Sequence, residues 1–251
     1  GPLTLREIKR ALPGEVRPLE RRVGRATYRS TNINVVLQAL VRQGLVGSEK
    51  GRGATSTLGA NRYFLLRQLS PDLNLEAVPP EEARIELLRH YIRAFGPVSV
   101  DDCAWWMGER KVEVRKALEE LAEELVTVEI AGLGDGWLML EPDYEKFLEF
   151  EPPEGPVVAL LPYEDPYPKG YKRRERLIAP ELEKRAYPGG SVRPTVIVDG
   201  RIIGLWEADV ERGRESPTLQ LFEGVSPAMQ VELGREAEAL DRFISSLGGG
   251  G

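Results

Sequence analysis

Two proline-rich stretches constrain the fold of this chain most, because they divide its 251 residues into separate parts. Residues 70–80 and residues 151–156 each contain three prolines. Proline lacks the N–H that a helix or a central strand needs and restricts the residue before it, so such clusters are typical of linkers. We therefore expect three domains, over residues 1–70, 71–154 and 155–251.

The first predicted domain has the order of a winged helix. Thr4 and Glu7 stand at capping-box spacing before an apolar periodic stretch, and a second such stretch follows Thr31. Between the two, the heavily basic residues 18–25 predict a short helix or a turn. A polar, glycine-rich tip over residues 47–59 then connects two strand-like segments, as in a wing.

The second predicted domain repeats this order about 80–90 residues later, which indicates a tandem array. Ser99 caps a short predicted helix that contains Trp105 and Trp106. Because adjacent residues on a helix cannot both face one way, stacking of both rings on bases is disfavoured, and we expect both tryptophans in the core.

The third predicted domain changes character to β-branched runs, an Asp199-Gly200 hairpin turn and a closing amphipathic helix over residues 229–243. The sequence as a whole predicts an α+β protein. Tandem winged helices precede a small antiparallel β-barrel-like domain with a C-terminal helix.

Charge is distributed unevenly, although the whole chain carries a net charge of only −6. Residues 1–70 hold 13 Lys and Arg against 4 Asp and Glu, a net +9, whereas residues 71–154 hold 8 against 21, a net −13. A basic winged helix indicates contact with DNA phosphates. The alternative is a solvated basic face that pairs with the acidic second domain, which is itself most simply interpreted as a scaffold.

Two groups of residues are candidates for DNA contact. The first group lies in the predicted basic winged helix, where the helix after Thr31 would approach the major groove and the wing the backbone. It comprises Arg29, Asn32, Asn34, Arg42, Lys50, Arg52 and Arg62. The two asparagines either reach base edges or cap the helix.

The second group lies in the third domain, where cations alternate with an aromatic residue as on a nucleic-acid surface. It comprises Lys169, Tyr171, Lys172, Arg173 and Arg174. A solvated loop is the alternative interpretation.

Other function classes are disfavoured by composition. One Cys and one His exclude a Cys-based zinc site and a His-pair metal site, and they make a Ser-His-Asp mechanism improbable. The chain has no phosphate-binding Walker loop and no dinucleotide fingerprint, so we expect no cofactor, no metal and no catalytic residue of a familiar type. Since no apolar run approaches 18 residues, we expect no membrane partner and a cytoplasmic, nucleoid-associated protein.

Several stretches together resemble one family. They are residues 1–4, 94–106, 161–174 and 193–206. The chain resembles the winged-helix DNA-binding-domain family that includes the AlkZ/YcaQ-like DNA glycosylases, which unhook interstrand crosslinks and release alkylated bases. The resemblance implies tandem winged helices and a β-barrel-like domain that form a concave basic channel for duplex DNA.

The resemblance implies that glycosylase activity in the family depends on a Gln-aliphatic-Gln or Gln-x-Asp motif in an N-terminal winged helix. We expect that winged helix to precede residue 1. None of the five glutamines here stands in such a motif; they are Gln38, Gln43, Gln68, Gln220 and Gln230. We therefore expect a duplex-DNA-binding protein, non-catalytic or truncated relative to the family. The alternatives are an active glycosylase for alkylated or crosslinked bases and a regulatory protein-interaction scaffold.

Overall fold

The computed structural model describes residues 1–24, 26–50, 61–75, 77–208 and 217–248. The chain forms two compact units, which we call the N-terminal unit (Gly1–Val78) and the C-terminal unit (Pro79–Gly251). The domain boundaries expected at residues 70 and 154 stay a prediction. Residues from both sides of the second boundary contribute to one hydrophobic core in the C-terminal unit.

The described residues of the N-terminal unit form two helices longer than one turn, a β-hairpin and a three-stranded sheet with the order β1-β5-β4. Its elements in chain order are β1 (Leu3–Thr4), α1 (Leu5–Ala11), β2 (Pro18–Val23), β3 (Ala26–Thr31), α2 (Asn32–Arg42), β4 (Val46–Lys50), β5 (Asn61–Leu65) and α3 (Leu66–Leu69). The predicted capping box at the start of α1 is confirmed, since Thr4 and Glu7 bond reciprocally.

The prediction of a helix or turn over residues 18–25 is wrong. Strand β2 occupies Pro18–Val23 and pairs with β3 from Pro18↔Thr31 to Val23↔Ala26. A strand was not predicted here because apolar and polar residues do not alternate in this segment. Such alternation arises only where one face of a strand is buried, and the described side chains of this hairpin lie almost entirely in solvent.

The core of the N-terminal unit is small. Among its described side chains, the buried apolar ones are Ile33, Leu37 and Val46. They join the inner face of α2 to strand β4, and Leu3, Ile8 and Phe64 line the adjoining apolar pocket.

The first half of the C-terminal unit is a winged helix of three helices and a hairpin. Its elements are α4 (Pro80–Phe95), α5 (Val100–Met107), α6 (Lys111–Glu120), a 3-10 turn (Ala122–Glu124), β6 (Leu125–Ile130), β7 (Gly134–Leu140) and α7 (Glu141–Glu149). An isolated bridge between Val98 and Leu138 adds the short third strand of the wing sheet. The predicted cap at Ser99 is confirmed.

The second half of the C-terminal unit is an open four-stranded antiparallel sheet with the order β11-β10-β9-β8, so the described residues form no closed barrel. Its elements are β8 (Val158–Leu161), α8 (Pro166–Lys169), α9 (Glu183–Ala186), a 3-10 turn (Pro188–Gly190), β9 (Thr195–Val198), β10 (Arg201–Glu207), β11 (Thr218–Leu221) and α10 (Pro227–Gly248). The predicted Asp199-Gly200 turn is confirmed, because both residues have positive φ between paired strands.

Strand β9 is buried along its whole length because both faces of the sheet are covered. Val196 and Val198 point to one face and pack near Leu233 of α10. Ile197 points to the other face and joins the core of the winged helix. The predicted α+β class is thereby confirmed, and the sheet is fixed to the second winged helix by shared apolar burial.

Candidate nucleic-acid interface

Helix α1 carries Arg6, Lys9 and Arg10, and the β2–β3 hairpin is a second cationic element of the N-terminal unit. It presents Arg21, Arg22 and Arg29, and Arg17 precedes it at its root; all four are exposed. One acidic residue, Glu20, lies within the hairpin and accepts from Arg29 Nε at 2.8 Å. Both partners are more than half exposed, so this ion pair leaves the guanidinium accessible to other anions.

The two faces of the hairpin carry different chemistry because side chains alternate along each strand. Arg21 lies directly opposite Tyr28 on one face, and the tyrosine is 60% exposed. Arg22 and Arg29 share the other face with Glu20. A cation beside an exposed aromatic ring is suited to nucleic acid, where the cation neutralises phosphate and the ring can stack.

Asn32 fixes the root of this hairpin to helix α2. Its Oδ1 accepts from the backbone N–H of Arg17 at 2.8 Å, and its Nδ2 donates to the carbonyl of Glu15 at 2.8 Å. The backbone N–H of Asn32 also donates to the Arg17 carbonyl at 3.0 Å. The side chain is thus committed within the protein, which favours the structural alternative over a base contact.

The other candidates in the N-terminal unit have different surroundings. Asn34 accepts from the hydroxyl of Thr31 at 2.7 Å, next to the start of α2. Arg42 is exposed in the last turn of α2. Arg62 donates to the carbonyl of Pro2 at 2.6 Å, which ties β5 to the chain start. Lys50 ends strand β4, and Arg52 lies outside the described residues.

Helix α2 itself is poor in cations, since Arg42 is its single basic residue. Its outer surface includes Val35 and Val36, which are 53% and 50% exposed. Most of the cations near this helix in the sequence therefore lie on the hairpin that precedes it.

The basic loop of the C-terminal unit is held by a buried carboxylate. Asp102, which has no exposed surface, accepts from the backbone N–H groups of Lys172 and Arg173 at 2.8 and 2.9 Å. The same side chain accepts from the N–H and hydroxyl of Ser99 at 3.0 and 2.7 Å. One carboxylate thus caps α5 and positions the loop.

The lysine of this loop shares a second carboxylate. Asp101 Oδ1 lies 2.7 Å from Lys111 Nζ and 3.0 Å from Lys172 Nζ. Hydrogen bonds from Lys111 and then Lys172 lower the pKa of Asp101 to about 2. Asp101 thus joins α6 to the basic loop through two ion pairs.

The remaining candidates of the loop are engaged within the protein. Tyr171 is 5% exposed and donates to the carbonyl of Phe95 at 3.0 Å, and burial raises its pKa. Its ring therefore presents no open face to a base in this structure. Lys169 pairs with Glu164.

The two arginines of the loop lie against aromatic rings. Arg174 pairs with Glu183 at 2.9 Å and lies 3.9 Å from the ring centroid of Tyr187. Arg173 lies 5.2 Å from the ring centroid of Trp137 and 3.6 Å from a Glu175 oxygen. The two carboxylates are near in sequence, but the rings of Trp137 and Tyr187 lie farther away in the chain, and no local pattern in the sequence indicated these ring contacts.

The prediction that Trp105 and Trp106 both lie in the core is wrong. They are 39% and 40% exposed, because α5 is a short helix with its buried face occupied by Asp102, Cys103 and Ala104. Trp106 is stacked on Tyr91 at a centroid distance of 4.6 Å.

The described residues offer little support for a metal site, a reactive thiol or a membrane span. Within the described ranges, no group of three His, Cys, Asp or Glu is placed to hold a metal ion. Cys103 is buried, and desolvation raises the pKa of its thiol to about 12. No described helix combines the length and apolarity needed to cross a membrane.

Comparison with known proteins decides the family. A family model described as DNA glycosylase AlkZ-like matches residues 1–243. The chain belongs to the AlkZ-like family. This confirms the resemblance carried by residues 1–4, 94–106, 161–174 and 193–206.

One curated protein and one solved structure, both from Streptomyces sahachiroi, are similar to the chain. The chain is 26% identical to an interstrand DNA cross-link repair glycosylase, over 68% of this chain and 45% of that protein. It also matches the solved structure of the DNA glycosylase AlkZ with a TM-score of 0.68 and 21% identity, over 97% of this chain and 63% of that one. The chain therefore spans less than two thirds of either relative, and the structural match shows a shared fold.

Proposed function

We propose that this chain binds duplex DNA through the β2–β3 hairpin of its N-terminal unit and that its 251 residues do not themselves release bases. The observation that carries the proposal is the exposed cationic hairpin, fixed at its root by Asn32. Membership of the AlkZ-like family supports a place in DNA repair.

The dimensions of the hairpin suit a groove of DNA. A two-stranded ribbon fits the major groove of B-DNA, which is about 12 Å wide. Six paired residues extend over roughly 20 Å at about 3.3 Å per residue. Arginines on both faces of the ribbon would then reach phosphates on either side of the groove.

Lys50 and Arg52 would add phosphate contacts from the wing, as the sequence analysis predicts. Lys172 and Arg173 would add contacts from the C-terminal unit. Arg174 and Tyr171 are engaged elsewhere and would serve to hold this loop.

The absence of base release is supported by the glutamines of this sequence, none of which stands in a Gln-x-Gln or Gln-x-Asp pair. The alternative is an active glycosylase on alkylated or crosslinked bases. It is favoured by the family match over residues 1–243 and by the relative described as an interstrand cross-link repair glycosylase.

Duplex binding is tested by fluorescence anisotropy with a labelled 25-base-pair duplex in 50 to 200 mM salt. If Arg17, Arg21, Arg22 and Arg29 each neutralise one phosphate, a plot of log K against log salt should have a slope of about −3.6. The binding constant should then fall roughly a hundredfold across this range of salt. No binding at 50 mM salt, or binding with no salt dependence, would refute the proposal.

Base release is tested on a duplex that contains 7-methylguanine or a nitrogen-mustard crosslink, with alkali cleavage as the readout for abasic sites. We expect no abasic sites above the background of a protein-free reaction. Abasic sites that increase with protein concentration, and that a single substitution in this chain abolishes, would establish the alternative instead.

A further inference from the structure

An apolar groove beside helix α7 is a feature of the C-terminal unit that DNA binding does not use. The groove has a volume of about 650 Å³ and lies between α7 and the β6–β7 wing. Its apolar lining is formed by Val128, Ile130, Met139, Tyr144, Phe147 and Leu148.

Helix α7 directs one apolar face toward this groove and leaves it largely uncovered. Tyr144, Phe147 and Leu148 stand at i, i+3 and i+4, so they lie on one side of the helix. Phe147 is 61% and Leu148 65% exposed, and Phe150 at the end of the helix is 63% exposed. A contiguous exposed apolar patch of this kind marks an interaction surface rather than a solvent-facing helix side.

The charge around the groove is almost entirely negative. Residues 119–154, which include α7 and the whole wing, hold 12 Asp and Glu but one basic residue, Lys146. Lys146 is itself paired with Asp143 at 3.1 Å. Arg176, which reaches the groove from outside this range, donates to the carbonyl of Pro97 at 2.6 Å and lies 3.7 Å from the ring centroid of Tyr171.

This charge distribution selects among occupants. DNA would be repelled by a net −11 over 36 residues. A second copy docked through the same face would bring two such surfaces together, at a large electrostatic cost. A partner segment with apolar side chains and positive charge would bury apolar surface in the groove and would be attracted by the surrounding carboxylates.

We propose that this groove binds a basic amphipathic helix of a partner protein, with large apolar side chains on one face and Lys or Arg on the other. The apolar face would contact Tyr144, Phe147 and Leu148, as an amphipathic helix does in a hydrophobic groove. The basic face would lie near Glu145 and Glu149, which are both exposed. The chain would then contact DNA and a protein through separate surfaces.

The test uses three labelled 18-residue peptides and the full chain. The first is a helix of Leu on one face and Lys on the other, the second has the same composition in scrambled order, and the third has Glu in place of Lys. We expect the first peptide to bind at least tenfold more tightly than the second, and the third not to bind. Equal affinity for the first two peptides would overturn the proposal, since charge alone would then explain binding.

Two variants locate the binding surface. Phe147→Ala combined with Phe150→Ala should weaken binding of the first peptide at least tenfold while duplex DNA affinity stays unchanged. The matched control is Phe243→Ala, because Phe243 is 60% exposed on α10 of the same unit. Far-UV circular dichroism and thermal unfolding confirm that each variant folds.

Unchanged peptide affinity in the Phe147 and Phe150 variant would overturn the proposal, as would an equal loss in the Phe243 control. A concentration-dependent dimer that the Phe147 and Phe150 variant abolishes would also overturn it, by showing that a second copy occupies the groove.

Discussion

The two winged-helix regions of this molecule use the same local devices in opposite surroundings. Each begins a helix with a capping box, Thr4 with Glu7 in the N-terminal unit and Ser99 with Asp102 in the C-terminal unit. In the first box Glu7 is exposed and Thr4 also pairs with Arg62 of β5, whereas in the second box Asp102 is buried and also holds the backbone of Lys172 and Arg173.

The two regions also differ in the element between their first and last helices. The C-terminal unit has helix α5 there, packed into a deep core. The N-terminal unit has the β2–β3 hairpin there, whose described residues lie almost entirely in solvent, above a core of three described buried side chains. In the C-terminal unit the element between the helices therefore adds to the core, whereas in the N-terminal unit it exposes charged side chains to solvent.

The largest expected effect concerns the two capping boxes. Asp102→Ala removes the acceptor for two backbone N–H groups and two Ser99 donors, and it should lower the free energy of unfolding of the C-terminal unit by about 3 kcal/mol. Urea unfolding followed by tryptophan fluorescence measures this, because all four tryptophans lie in that unit.

The controls for this prediction are Asp102→Asn, which keeps one acceptor oxygen and should cost less, and Glu7→Ala. Glu7 is exposed, so Glu7→Ala should lower the free energy of unfolding, measured by circular dichroism, far less than Asp102→Ala does. Equal losses at Asp102 and Glu7 would show that burial does not distinguish the two boxes.

A smaller effect is expected at the hairpin root. Asn32→Ala removes two side-chain hydrogen bonds to the backbone of Arg17 and Glu15, which should loosen the hairpin and weaken duplex binding by about 1 kcal/mol, roughly fivefold. Asn34→Ala serves as the matched control and should change affinity less than twofold, because Asn34 bonds only locally to Thr31. An equal loss for both, in fluorescence anisotropy, would favour base contacts over positioning.

Features set by neighbouring residues could be predicted from the sequence. The caps at Thr4 and Ser99, the Asp199-Gly200 turn and the α+β class depend on spacings of a few residues, and all are confirmed. The charge contrast between the two winged helices likewise needed only counting.

Features set by distant contacts could not be predicted. Tyr171 looked like a stacking residue in a basic loop, but its hydroxyl bonds to Phe95, 76 positions earlier. Arg174 was a candidate for DNA contact, but it lies over the ring of Tyr187 and pairs with Glu183. The hairpin over residues 18–31 escaped prediction because a ribbon with both faces in water needs no apolar alternation.

The proposed function requires that the β2–β3 hairpin, rather than the second winged helix, contacts DNA. The most direct test measures duplex affinity against salt for Arg21→Glu with Arg22→Glu, and for a matched control, Arg115→Glu with Lys116→Glu on exposed positions of α6. We expect the hairpin variant to bind about 50-fold more weakly at 100 mM salt, with the salt slope reduced by about 2, while the control stays within about twofold of the parent. Parent-like binding by the hairpin variant, or an equal loss in the control, would contradict it.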